Sequence, residues 1–213
     1  VGSEMCIRDR PPANRQALVR SILAVEPTLA VRVEDRTCGN PLFAVQLFGD
    51  WAQRGALEAG ADGYRLRLDE ELPADAHAMW TGRVERLLSE RTAAEAHALE
   101  LAAVLGLEVD PVEWGAACLA AADEARGVTP DPSDALIEGL LDQRLARCGP
   151  GGPAEGWWFR HRALRDSMEA RARRGGRLVG WHRACAVVLA RAGAHRQSGP
   201  ISERIGRHWL GAG

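Results

Sequence analysis

Two places in this chain combine residue types and spacing that could act on a bound group. The first is the corner Gly39-Asn40-Pro41, inside the stretch from Arg36 to Val45. Asn40 is placed to cap a helix, and Pro41 suits its first turn. Leu42, Val45, Gly49 and Ala52 follow at helical spacing. Glycine lets a backbone approach another body closely, and proline offers a flat, donor-free apolar surface. Such a corner could sit against a ring system such as adenine; the competing reading is an ordinary capped helix start. The second place is His161, just after Trp157-Trp158-Phe159. A protonatable imidazole can sense a phosphate, and its alternative is a hydrogen-bonded structural role.

Other groups point less sharply. Trp157 and Trp158 could form a stacking surface, although one packing inward and one covering the outside explains them as well. Arg171, Arg173, Arg174 and Arg177 form a basic cluster that could contact phosphate or simply end a solvated helix. His182 and His208 sit on helical patterns without metal-ligand spacing. Asp69-Glu70-Glu71 reads as a loop before a helix, not as an acid pair for catalysis. No Gly-x-Ser-x-Gly elbow and no HExxH helix occurs.

Composition narrows the chemistry further. All 27 basic residues are arginine, so neither a Schiff-base lysine nor a phosphate-loop lysine exists in this sequence. The formal net charge of −2 gives no global field toward nucleic acid or membrane. Cys6, Cys38, Cys118, Cys148 and Cys185 are scattered without a Cys-x-x-Cys pair, which fits reduced thiols in a cytoplasm. No apolar run approaches the 18 residues or so of a membrane span. Residues 1–10, VGSEMCIRDR, look like a translated sequencing adapter and are excluded from fold reasoning. The chain reads as a piece of a longer protein.

The elements expected to carry these residues are mostly helices. Leu18, Ile22 and Val25 predict one helix face, broken at Glu26-Pro27. A second helix passes through Leu29 and Val33, and a third runs from about Pro41 to Arg54, ending at Gly55. Tyr64, Leu66 and Leu68 alternate with arginines after Asp62-Gly63, a hairpin signal. After Leu72-Pro73, helices are expected with Trp80, Val84, Leu87 and Leu88 on one face, then from Thr92 to Leu105, then from Asp110-Pro111. Another, capped by Ser133, carries Leu136, Ile137, Leu140, Leu141 and Leu145. Leu145–Cys148 and Trp157–Phe159 predict a two-strand wing around Gly149–Pro153. Helices follow at His161 and from about Arg177 to Arg191.

Three stretches, in order, resemble one family. Thr37-Cys38-Gly39-Asn40-Pro41-Leu42-Phe43 resembles the Gly-x-Pro motif of the signal-transduction ATPases with numerous domains, the STAND branch of the AAA+ superfamily. Leu101-Ala102-Ala103-Val104-Leu105-Gly106 resembles a helix of their winged-helix module. Phe159-Arg160-His161-Arg162-Ala163-Leu164-Arg165-Asp166 resembles the Phe-x-His-x-x-Leu-Arg-Asp box that closes it. The likeness extends over roughly Gln16 to Leu210 and is greatest to large bacterial regulators in which such an ATPase follows a protein kinase or cyclase domain and precedes helical repeats. Phe43 to Trp51 suggests the kinase-linked kind.

The resemblance implies roles. Pro41 would pack against the adenine of ATP or ADP, with Gly39 and Asn40 shaping the corner. His161 would contact the β-phosphate of ADP, although Arg162 stands where relatives often have aspartate. It further implies a mainly α fold, with the end of a helical lid plus hairpin at 11–68, a winged helix at 69–165 and the start of a helical arm at 166–213. The phosphate loop and Mg²⁺ site would belong to a missing N-terminal nucleotide-binding domain, so this piece alone is expected to hold no nucleotide and hydrolyse no ATP. Other partners implied are a fused effector domain and downstream helical repeats, with no membrane. The alternative function is a DNA-binding winged helix. Asp134, Glu138 and Asp142 on its candidate recognition helix, beside only Arg144 and Arg147, make nucleic acid an unlikely partner. A plain helical scaffold is the third reading.

Overall fold

In a computed structural model, residues 17, 21–38, 40–67, 72–122, 127–193 and 199–213 are described. The fold is mainly α, with small antiparallel sheets. The chain divides into two compact units, Val1–Met79 and Trp80–Gly213. No helix among the described residues is long and apolar enough to cross a membrane.

The first unit contains α1 (Pro27–Thr37), α2 (Pro41–Gln53) and the hairpin β1 (Leu57–Gly60) and β2 (Gly63–Leu66). Proline opens each helix, where its missing N–H costs nothing. Leu29, Ala30 and Val33 of α1 and Phe43, Ala44, Leu47, Phe48 and Trp51 of α2 are buried. This corrects the face expected for α2. Leu42 and Val45 are 60% and 45% exposed, and Gly49 and Ala52 are exposed too. The sequence carries two interleaved apolar stripes, and the one with the aromatic bulk is the one buried.

Val25 does not belong to a helix face either. It forms a parallel bridge to Tyr64, with Glu26 N–H on the Tyr64 carbonyl at 3.0 Å and Tyr64 N–H on the Ala24 carbonyl at 2.7 Å. The approach requires glycine at 63: its φ is 119°, and a Cβ there would meet the Ala24 carbonyl oxygen at 2.7 Å. Leu66 is buried, Tyr64 is 41% exposed, and Leu68 lies outside the described residues.

The second unit is built around α4. Its elements are α3 (Ala76–Ser89), which belongs to it from Trp80 onward, α4 (Ala93–Leu105), β3 (Glu108–Val109), α5 (Pro111–Ala120), α6 (Asp134–Asp142), β4 (Ala146–Gly149), β5 (Gly152–Phe159), α7 (Arg162–Arg174), α8 (Leu178–Gly193) and α9 (Gly199–Ala212). Every residue of α4 from Ala98 to Leu105 is buried, because α5, α7 and α8 pack around it. That explains why a run of alanines and leucines, apolar on all sides, forms this helix. The expected wing is the β4–β5 hairpin, and β3 completes a three-stranded sheet in the order β3-β5-β4. Leu145 lies beyond α6, between that helix and β4, and is buried. Asp110 caps α5 and Ser133 caps α6 through their side chains.

Candidate functional site

The corner before α2 is a real cap. Asn40 Oδ1 accepts from Leu42 N–H at 3.0 Å and from Phe43 N–H at 3.3 Å, meeting two of the helix's orphan donors. Pro41 takes the first helical position, half-buried. The chain enters the corner through Cys38, whose φ of 49° and ψ of 35° are left-handed. Gly39 lies outside the described residues. Asn40 and Pro41 belong to the first unit and His161 to the second.

His161 sits at the N-cap position of α7 but makes no capping bond. Its ring packs on Trp80 with centroids 4.5 Å apart, and Arg83 lies over the same indole at 5.0 Å. Its Nε2 is buried and has no hydrogen-bond partner among the described residues. Burial first, then the charges of Arg160 and Arg83, push its pKa below the ordinary histidine range. The imidazole is therefore neutral at pH 7, with one ring nitrogen unsatisfied.

The surrounding box is structural. Phe159 and Leu164 are core residues. Arg165 Nε donates to the Ala103 carbonyl at 2.8 Å, and its Nη2 meets Glu169 at 2.6 Å. Phe159 N–H donates to the Leu107 carbonyl at 3.0 Å. Of the tryptophan pair, Trp157 is fully buried against Trp114 and Phe159, and Trp158 is half-buried.

Sequence reasoning missed two clusters. Glu100 is fully buried in α4, where it accepts from Arg177 Nε and Nη2 at 2.8 and 2.7 Å, from Trp181 Nε1 at 3.0 Å and from Arg171. Burial alone would raise its pKa, but the hydrogen bonds and charges of these partners outweigh burial and hold it below the usual carboxylate range. Half of the arginine cluster is thus committed to Glu100, not free for phosphate and not a solvated end; Arg173 and Arg174 are the exposed members. The second cluster joins His182 of α8 to His208 of α9, Nδ1 to Nδ1, at 3.0 Å. No group of three metal-capable side chains occurs among the described residues.

A third cluster was missed as well, although a local signal for it exists. Thr92 and Glu95 form a reciprocal capping box for α4, and Ser133 Oγ donates to Glu95 Oε1 at 2.7 Å. The spacing Thr-x-x-Glu before an apolar run is the signal for it.

Compared with family models, with curated proteins and with solved structures, the chain matches none.

Proposed function

We propose that this chain is the regulatory part of a signal-transduction ATPase of the STAND branch, coupling ATP or ADP state to a fused effector, a serine/threonine kinase, in the cytoplasm. The observation that carries the reading is the junction between two of the motif stretches: Arg165 reaches the Ala103 carbonyl, and Phe159 reaches the carbonyl of Leu107, one residue past the Leu101–Gly106 stretch. Stretches paired only by a resemblance are paired in space. The order helix, strand, helix, helix, strand, strand, with the last strand central in the sheet, is the order of a winged helix. His161 supports a sensor role because its Nε2 has no partner among the described residues and could donate to a phosphate. The capped corner at Asn40-Pro41 offers the apolar contact for adenine.

Nucleotide would be held chiefly by a neighbouring domain, since a chain without lysine supplies no phosphate-loop lysine. A role on duplex DNA finds less support, because Asp134, Glu138 and Asp142 are exposed on α6. The test is made in the protein carrying the upstream reading frame. That frame should encode a Gly-rich loop ending in Gly-Lys-Ser/Thr; its absence rejects the reading. In that protein His161→Ala should weaken ADP binding at least about tenfold, the worth of one hydrogen bond to a charged group. Unchanged affinity and unchanged output reject the sensor role. The 213-residue chain alone should release no phosphate from ATP above a mock-purified control.

A further inference from the structure

The His182–His208 contact does something the nucleotide reading does not use. His208 is fully buried on α9, and His182 is half-buried on α8. With Nδ1 atoms 3.0 Å apart, one ring must donate and the other accept. His208 Nε2 is buried without a hydrogen-bond partner among the described residues. The helices are closely fitted here: a Cβ on Gly211 of α9 would meet the His182 ring at 2.6 Å.

The charges facing the pair are mostly positive. From α7 come Arg165 and Arg173, and from α9 come Arg204 and Arg207. Glu169 of α7 faces His182, but Arg165 already engages it at 2.6 Å. Glu113 of α5 is held by Arg204 at 2.6 Å. Such surroundings oppose a bound cation and equally oppose an imidazolium. A first proton can settle on the half-buried His182 and keep the contact. A second, on His208, has no acceptor and leaves two N–H groups facing each other.

We infer that the His182–His208 pair is an acid-sensitive latch, holding α9 on α8 while His208 is neutral and letting it go as His208 takes up a proton.

The sign follows from linkage. Burial first, then Arg207, His182, Arg204 and Arg165, depress the His208 pKa to about 3, whereas a released helix returns it to the ordinary value of 6.5. The docked form therefore binds fewer protons. Its stability is complete above pH 6.5 and is lost as pH falls from there toward 3, about tenfold per pH unit for one imidazole. His182, also depressed chiefly by burial, acts in the same direction.

Amide hydrogen exchange on the whole chain, corrected for the intrinsic rate, tests this. Between pH 7 and pH 5 the protection of α9 should fall about 25-fold for one titrating imidazole. Protection of α4 should fall far less. Flat protection in α9, or a parallel fall in α4, overturns the latch. His208→Asn keeps a polar group at the Nδ1 position and removes the His208 titration, so it should reduce the slope to the part that His182 supplies; an undiminished slope overturns the assignment. Should that variant fail to dock α9 at pH 7, proton NMR of the wild-type rings decides. A His208 signal titrating near 6.5 while α9 stays protected overturns the latch, and one that titrates only as α9 opens supports it.

Discussion

Glu100 and His208 are both fully buried, both titratable, and both tie α8 to another helix. They differ in how completely they are met. Glu100 is charged and receives hydrogen bonds from Arg171, Arg177 and Trp181, so two helices and the turn between them close on one carboxylate. His208 is neutral, with one nitrogen joined to His182 and the other without a partner among the described residues. Burial does not by itself make a contact permanent or conditional. The donors and acceptors present decide which protonation state the site tolerates, and hence at what pH the contact fails.

The two contacts should therefore fail in sequence on acidification. Glu100 has a depressed folded pKa, so its contribution is complete above the ordinary carboxylate range and is lost only as pH falls through that lower value. The histidine pair weakens first, below pH 6.5. A single loss of all helical protection near pH 4 would erase the distinction.

The largest effect is expected from removing the carboxylate. Glu100→Ala leaves Arg171 and Arg177 facing each other and strands the Trp181 N–H. Removing one partner of a buried pair costs roughly 3–5 kcal/mol, and about 3 kcal/mol is expected here because the arginines retain some solvent. Urea unfolding at pH 7 reads it directly. A loss under about 1 kcal/mol, the scale of an exposed pair, would put Glu100 among ordinary surface bridges.

Trp181→Phe is a smaller step along the same line. It removes one donor from Glu100 and leaves a modest void beside α4. About 2 kcal/mol is expected from the two losses together. Because the arginines still hold the carboxylate, acid sensitivity of α4 should barely change. If its protection collapses near pH 5 in this variant, the indole and not the arginines keeps Glu100 ionised.

How far these contacts could be read from the chain depends on their range in sequence. The caps at Asn40, Asp110 and Ser133 are local events, and residue type plus spacing carries them. The β4–β5 hairpin was legible in the same way, and so was the inward packing of one tryptophan of the 157–158 pair, though not which one. Glu100 stands in an alanine–leucine run, and its partners are 71, 77 and 81 residues away. Nothing local marks it, which is why two of its arginines resembled a solvated helix end. His182 and His208 are 26 residues apart on separate helices, joined by no recurring interval. The α2 face failed for another reason: two stripes fit the same period, and only packing chose the aromatic one. His161 was legible as a single histidine beside a tryptophan pair, but its stacking on Trp80 was not.

The smallest expected effect concerns a carboxylate on the same helix whose setting is local. Glu95, five residues before Glu100, accepts from the Thr92 N–H at 2.9 Å, while the Thr92 hydroxyl accepts from the Glu95 N–H at 3.2 Å. The Ser133 hydroxyl, then the Thr92 backbone, hold its pKa below the usual carboxylate value despite burial. Thr92→Ala removes one side of the box and leaves Ser133 in place, so the cost should be that of one lost cap, about 1 kcal/mol by urea unfolding. Thr92→Ser keeps the hydroxyl and should cost only a few tenths of that. If Thr92→Ala instead costs as much as Glu100→Ala, then the start of α4 and not its middle anchors the helix, and the order of effects argued from Glu100 inverts.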